Sequence, residues 1–276
     1  MEDITAIILT KNEEKNIKEC LLSIKGFVQR SLVIDCGSTD STREIAESLG
    51  ADVLIHPFEY YAKQFNWGIK NGDIKTTWIL RLDADERFSP QLNDEISQIL
   101  AKNADDITGI TIEADYYFLN RRIKHGLRKK RKMMLFKYRI GEIEDRRRDA
   151  HSIIHSGRSV SVKNRFLHYD FKNLTAYIDR YNWYATKEME DFFFATTNGL
   201  SKIQNSDDLI KRQRKKKYAM YYKAPMFLRA YLWFVYNYIF RFGFLDGKEG
   251  FLFHYFECYW YRMLVDVKIY EKGLGK

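Results

Sequence analysis

The sequence predicts an α/β protein, a mixed but mainly parallel sheet flanked by helices, with a helical segment at the C-terminal end. Two observations carry this. Over the first hundred residues, short continuous apolar runs alternate with stretches of helical spacing, the pattern of βαβ units. From about residue 172 the spacing is helical and aromatic residues crowd in. The expected division is 1–170, in halves 1–100 and 101–170, followed by 171–276.

ITAIILT (4–10) is apolar without alternation, as in a strand buried on both faces. In NEEKNIKECLLSIKGF, Ile17, Leu21 and Ile24 share one side of a helix. SLVIDC (31–36) reads as a second strand. Ser41 and Glu44 match a capping box, opening a helix that Gly50 stops. ADVLIHP is a third strand, residues 60–71 a helix, and TTWILRLD a fourth strand. Ser89 and Pro90 fit the N-cap and first position of the helix QLNDEISQILAK. After residue 105 the pattern loosens. ITGITIEADYYFL (107–119) fits a further strand, residues 121–132 are densely basic, and residues 141–168 carry His151, His155 and His168. NLTAYIDRYNWYATKEMEDFF, the basic run KRQRKKK (211–217) and APMFLRAYLWFVYNYIFRFGFL follow. No charge falls between Arg229 and Arg241, and no internal repeat is visible.

A chain of 276 residues, 45% of them hydrophobic, holds one large α/β domain with a helical appendage. The net charge of +9 suits an anionic partner, whether nucleotide, nucleic acid or membrane surface. Cys20, Cys36 and Cys258 are widely spaced, with no C-x-x-C, so neither a zinc site nor a disulfide framework is indicated and a reducing cytoplasm is expected. The opening MEDITAIILTKNEE does not read as a signal peptide. No apolar segment reaches the ~18–20 residues of a membrane span.

In a parallel sheet the ligand site lies beyond the carboxyl ends of the strands. Four polar loops therefore converge: TKNEE, DCGSTD, the stretch 56–66 and DADE. In the last, Asp83, Asp85 and Glu86 crowd the end of an apolar strand. Carboxylates one residue apart relieve their repulsion by gripping a divalent cation, Mg²⁺ or Mn²⁺, with substrate phosphates. Taken alone, the same residues also fit a solvated acidic turn.

ITAIILTKNEEKNI, VIDCGSTDST, HPFEYYAKQFNWGI and WILRLDADERFSP occur in this order and resemble the family 2 glycosyltransferases of GT-A fold, over roughly residues 4–100. The tail GFLDG (243–247), with Gly250-Phe251 after it, resembles the branch that extends lipopolysaccharide cores and other bacterial surface glycans. The resemblance implies an inverting transfer from a nucleoside-diphosphate sugar, a UDP-sugar first, to a glycan or glycolipid acceptor, with a divalent cation. By position it implies that Thr10, Asn12 and Glu13 line the nucleotide and that Asp35 and Asp40 lie by the base or ribose. Lys63, Gln64 and Asn66 would stand near the diphosphate or donor sugar. Asp83 and Asp85 would hold the metal and diphosphate, while Glu86 is assigned to cap the following helix. Cys36 stands where the family often has a second acidic residue, so the base is left unnamed.

Inversion needs a general base for the acceptor hydroxyl. EDRRRDAHSIIHSGRSV resembles a family segment that reads Asp-Glu-His, with Ala150 in place of the Glu. Asp149 is the first candidate, with Glu144 and Asp145 behind it. His151 is a candidate further metal ligand, and His155 and His168 are read as structural.

RRIKHGLRKKRK and KRQRKKK fit a nucleic-acid patch, a solvated face or an anionic-membrane face. No helix-turn-helix or RNP-type pattern accompanies them, so no nucleic-acid partner is expected. Basic runs beside aromatic helices favour the inner face of an anionic membrane, with Trp233, Tyr236 and Tyr238 at headgroup level. Packing against the catalytic domain or a second subunit is the alternative. Two rival functions remain. Nucleotidyl transfer needs a Gly-rich first loop, which TKNEEKN lacks. A basic membrane- or nucleic-acid-binding protein with a decayed sugar-transfer site is kept in view by Ala150.

Overall fold

The lack of alternation in the first strand reflects burial from both sides. In the computed structural model, which describes residues 1–102, 104–126, 130–145, 150–170, 172–198 and 221–274, the chain begins β1 (Glu2–Thr10), α1 (Ile17–Ile24), β2 (Val28–Asp35), α2 (Thr42–Ser48), β3 (Asp52–Ile55), α3 (Tyr61–Asn71), β4 (Trp78–Asp83), β5 (Glu86–Arg87) and α4 (Pro90–Ala101). It continues β6 (Ile107–Phe118), β7 (Arg121–Ile123), β8 (Arg131–Lys137), β9 (Gly141–Ile143), β10 (Ser152–Ile154) and β11 (Arg158–His168). Ile4, Ala6 and Ile8 of β1 pack in one core cluster with Ile17 and Leu21 of α1 and Leu92 and Ile96 of α4. Ile7 packs in another with Leu32, Ile34, Phe65 and Phe136, under α3. Gly68 lets α3 seat closely, since a Cβ there would lie 2.9 Å from Ile34 Cγ1.

Strand order is β3-β2-β1-β4-β8-β6-β11-β5. The first four strands are parallel; β8 runs antiparallel to β4 and β6, and β11 runs parallel to β6. β9 and β10 form a separate antiparallel pair. The expected mixed, mainly parallel sheet with flanking helices is observed. Of the basic run, residues 121–123 form β7 and residues 131 and 132 open β8.

Ser89 caps α4 as expected, its Oγ accepting from the Leu92 N–H at 3.2 Å. The capping box at α2 does not form. Ser41 holds the N-cap position but its side chain makes no capping hydrogen bond; the Asp40 carboxylate takes the Thr42 N–H at 3.1 Å. Glu86 does not cap α4 either. It is 3% exposed and committed to a buried network described below.

Two compact units result: Met1–Tyr117 with Lys129–Asp170, and Phe118–Arg128 with Phe171–Lys276. In the second unit the segment containing β7 packs with α5 (Leu174–Asn198), α6 (Leu228–Val235), a π-helical turn Tyr236–Phe240, a 3-10 turn Gly243–Asp246, α7 (Gly247–His254), a second π-helical turn Tyr255–Trp260 and α8 (Tyr261–Leu274). Tyr177, Tyr181, Phe253, Tyr261, Val265 and Ile269 are central to its core. The run KRQRKKK lies outside the described residues.

The tail motif has a structural role. Asp246 accepts from the backbone N–H of Lys124 (2.9 Å) and His125 (2.8 Å) and faces His125 Nδ1 at 2.9 Å. His254 behind it is fully buried, against Gly126 and Gly243, where a Cβ would lie 2.2 and 2.4 Å from the ring. Burial pushes the His254 pKa down to about 4, against the pull of Asp246. The folded state thus keeps this ring neutral while the unfolded chain protonates it near pH 6.5. Its contribution is present above that pH and is lost as pH falls towards 4, up to about 3 kcal/mol. Urea midpoints at pH 7.5 and pH 4.5 should therefore separate more in the native protein than in His254→Asn; equal separations would refute the assignment.

Candidate functional site

Three parallel strand ends define the site. Across β1, Leu9 registers with Asp83 and Thr10 with Asp35, so the ends of β2, β1 and β4 lie in one line. The loops after β1 and β2 are zipped together. Asn12, at a φ of +53°, donates its N–H to Ser38 Oγ (2.8 Å) and accepts from the Thr39 N–H (2.8 Å). The Glu13 N–H donates to Thr42 Oγ1 (2.7 Å), and the Glu14 N–H to Asp40 (3.2 Å). Thr10, Asn12, Glu13, Asp35 and Asp40 are thus brought together. Asp35 is wholly buried and accepts from Thr10 Oγ1 (2.8 Å), the Gly37 and Ser38 N–H groups (2.9 and 2.7 Å) and Ser38 Oγ (2.5 Å). Burial would raise its pKa; these hydrogen bonds outweigh burial and hold it below the usual range.

The α3 residues are engaged locally. Gln64 is fully buried, its Oε1 2.8 Å from His56 Nδ1 and its Nε2 donating to the His56 carbonyl (3.0 Å). Asn66 donates to the Ile143 carbonyl (2.7 Å) and accepts from its N–H (3.0 Å), fastening β9 to α3. Lys63 is exposed, paired with Glu59 at 2.5 Å.

The carboxylates of DADE separate into two groups. Asp83 accepts from the Tyr61 hydroxyl (2.7 Å) and from Lys132 Nζ (2.7 Å). Lys132 also donates to both Glu86 oxygens at 2.9 Å, and Glu86 takes the Asp83 N–H at 2.9 Å. Arg81, buried inside the strand, donates through Nε to the Tyr61 hydroxyl (2.9 Å) and through Nη1 to the Ala150 carbonyl (3.1 Å). Burial opposes ionisation of Asp83, but Lys132 and Arg81 outweigh it and hold its pKa far below the usual range. Glu86, pushed by burial and then by Asp83, rises to about 7 despite Lys132.

Asp85 turns to the other group. β11 runs antiparallel to β5, with His168 opposite Glu86, and the Tyr169 N–H donates to the Asp85 carbonyl at 2.8 Å. This pairing brings one ligand atom each of Asp85, His168 and Asp170 within 4.8 Å of one another. His168 Nε2 stands 3.4 Å from Asp85 Oδ2, while its buried Nδ1 has no hydrogen-bond partner among the described residues. Burial would lower the His168 pKa; Asp85 first, then Asp170 and Glu86, lift it to about 9. Two carboxylates and an imidazole suit Mn²⁺ or Mg²⁺, and the ring proton would leave on ligation. The residues present therefore fit a divalent cation.

Asp170, Lys132, Tyr61 and Arg81 carry no reading of their own in the sequence, and His168, read there as structural, stands in the cluster that fits a cation. The one signal available was Arg81, a charge inside an apolar strand. His151 is exposed at the β9–β10 hairpin, its N–H donating to the Glu144 carboxylate (3.1 Å). Asp145, also exposed, accepts from the Tyr60 hydroxyl. Asp149 lies outside the described residues.

Residues 5–167 match the family described as Glycosyl transferase family 2. An uncharacterized glycosyltransferase of Rickettsia felis is 42% identical over 106 residues, 38% of this chain and 37% of that protein. The lipopolysaccharide core biosynthesis glycosyltransferase LpsC of Rhizobium meliloti is 26% identical over 121 residues, 42% of this chain and 43% of that protein. The chain thus spans well under half the length of these relatives. Among solved structures, glucosyl-3-phosphoglycerate synthase from Mycobacterium tuberculosis, in complex with Mn²⁺, UDP and glucosyl-3-phosphoglycerate, is similar at 20% identity and a TM-score of 0.35, over 41% of this chain and 44% of that one.

Proposed function

Because the chain belongs to glycosyl transferase family 2, we propose that it transfers a sugar, with inversion, from a nucleoside-diphosphate sugar to a lipid-linked or surface-glycan acceptor at the inner face of a membrane. UDP-sugars are the first donors to test. The observation that carries this reading is the convergence of Asp85, His168 and Asp170 at the end of β4, beside the paired nucleotide loops. The relative named for lipopolysaccharide core biosynthesis supports the surface-glycan side.

Asp85, His168 and Asp170 would hold a divalent cation, which when bound supplies charge neutralisation for the leaving diphosphate. Asn12, Glu13 and Asp40 shape the nucleotide pocket, and Asp35 holds its floor through the bonds to Thr10 and Ser38. Lys132 keeps Asp83 ionised and fixed, so the carboxylate stays oriented as charge develops nearby. The acceptor oxygen attacks the anomeric carbon opposite the diphosphate, the bond to diphosphate breaks, and the hydroxyl proton passes to a carboxylate. Asp149 is the first candidate for that base, with Glu144 and Asp145 behind it. Ala150 contributes through its carbonyl to Arg81, a contact that needs no acidic side chain.

Incubation with Mn²⁺ and a panel of nucleotide sugars should give metal-dependent binding and slow hydrolysis of at least one. Neither binding nor hydrolysis across the panel would overturn the reading.

A further inference from the structure

We propose that the second unit docks on an anionic lipid bilayer through one face assembled from two distant stretches, the aromatic turn at 239–245 and the basic segment at 121–126. This deepens the membrane side of the proposed function and rests on that reading for its purpose.

The helix α6 and its π-helical extension turn their polar side chains, Arg229 and Asn237, inward and leave an apolar outer face. Arg229, Ala230 and Asn237 face the core, yet Leu232, Tyr236, Ile239 and Phe240, spaced along a second face, are exposed. Beyond them Phe242 and Leu245 are 57% and 56% exposed, and Phe240 is 70% exposed. Exposed apolar side chains seldom gather this way on a free surface, and such a face marks contact with protein or lipid. Trp233 and Tyr238, expected at headgroup level, are half-buried; Tyr238 stacks on Phe234 at 5.3 Å. Of the three aromatics named from the sequence, Tyr236 alone is exposed, and the leading side chains are Phe240 and Phe242.

The basic segment is fastened to this turn. The Gly126 N–H donates to the Arg241 carbonyl and Arg241 Nη1 to the Gly126 carbonyl, both at 3.0 Å. Asp246 takes the Lys124 and His125 N–H groups and is itself only 4% exposed. The exposed charges beside the turn are basic: Lys124, Lys248 and Arg121, the last two sharing the largely buried Glu249 at 3.9 and 3.2 Å. A two-fold contact with a second copy would set this basic rim against itself. An anionic bilayer complements it, while the phenyl rings enter the acyl boundary. Among the described residues, no helix is long and apolar enough to cross a membrane.

The test is co-sedimentation of the full chain with phosphatidylcholine vesicles, with and without phosphatidylglycerol. Binding should be at least about tenfold tighter with phosphatidylglycerol and should fall with salt. Phe240→Ser with Phe242→Ser should weaken it at least about tenfold. Lys124→Glu with Lys248→Glu, which disturbs no core contact, should do the same on anionic vesicles only. Thermal midpoints and Mn²⁺-dependent UDP binding should be unchanged in both. Equal binding to neutral vesicles, vesicle binding untouched by either variant, or no vesicle binding with a dimer that Phe240→Ser dissociates would each overturn the proposal. Loss of UDP binding by the native chain with vesicle binding intact would instead sink the transferase reading and leave this face standing.

Discussion

Asp85→Asn should cut metal-dependent sugar transfer at least about 100-fold while leaving the protein folded. Removing even the groups that orient metal ligands typically costs 10–100-fold, and a direct ligand costs no less. Asp85 is also the largest charge holding His168 protonated, so in the variant the ring's pKa should fall and the imidazole stay available, which leaves the expected loss to the missing Asp85 carboxylate. The fold should survive because the buried polar network at this strand end, Asp83 with Lys132 and Glu86, does not run through the Asp85 side chain. Turnover with saturating Mn²⁺ and the thermal midpoint, measured on the same preparation, check both halves. Full activity in Asp85→Asn would remove the residue from the metal site.

Lys132→Met should do the opposite and act mainly on stability. Lys132 Nζ lies within 2.9 Å of three carboxylate oxygens on Asp83 and Glu86, and Glu86 is 3% exposed. Breaking a buried pair from one side leaves an uncompensated charge and costs about 3–5 kcal/mol. Glu86 already holds its proton to about pH 7 in the folded state, above its unfolded value, so its ionised form is the costly one. The variant should therefore lose more stability at pH 8 than at pH 5. Glu86→Gln added to Lys132→Met should recover part of the loss by removing the stranded charge. Denaturant midpoints of the single and double variants decide this; a loss under about 1 kcal/mol would mean the network is solvated like a surface pair.

The two variants separate what is legible in the sequence from what is not. ITAIILT and WILRLD announce buried parallel strands because unbroken apolar runs have no solvated face, and both appear in the central sheet. Ser89-Pro90 announces a helix start because its capping chemistry is local. Ser41 and Glu44 carried the same local signal, but Asp40 reached the α2 N-terminus first. The DADE carboxylates stand out by repulsion alone. Their partners do not, because Lys132 and His168 reach the site through strand pairing across 49 and 83 positions of chain. Lys132 is hidden in a basic run that reads as a charged surface, and His168 reads as structural because its strand meets the DADE loop only through pairing with the two residues of β5. Asp246 was visible as part of a motif, but its work on the 124–125 backbone needs the folded second unit.

Titration of Mn²⁺ followed by electron paramagnetic resonance, with and without UDP, tests the central claim most directly. The proposed site predicts saturable Mn²⁺ binding that tightens with UDP and is lost in both Asp85→Asn and His168→Gln, with their folds intact. Undiminished Mn²⁺ affinity in His168→Gln would contradict it.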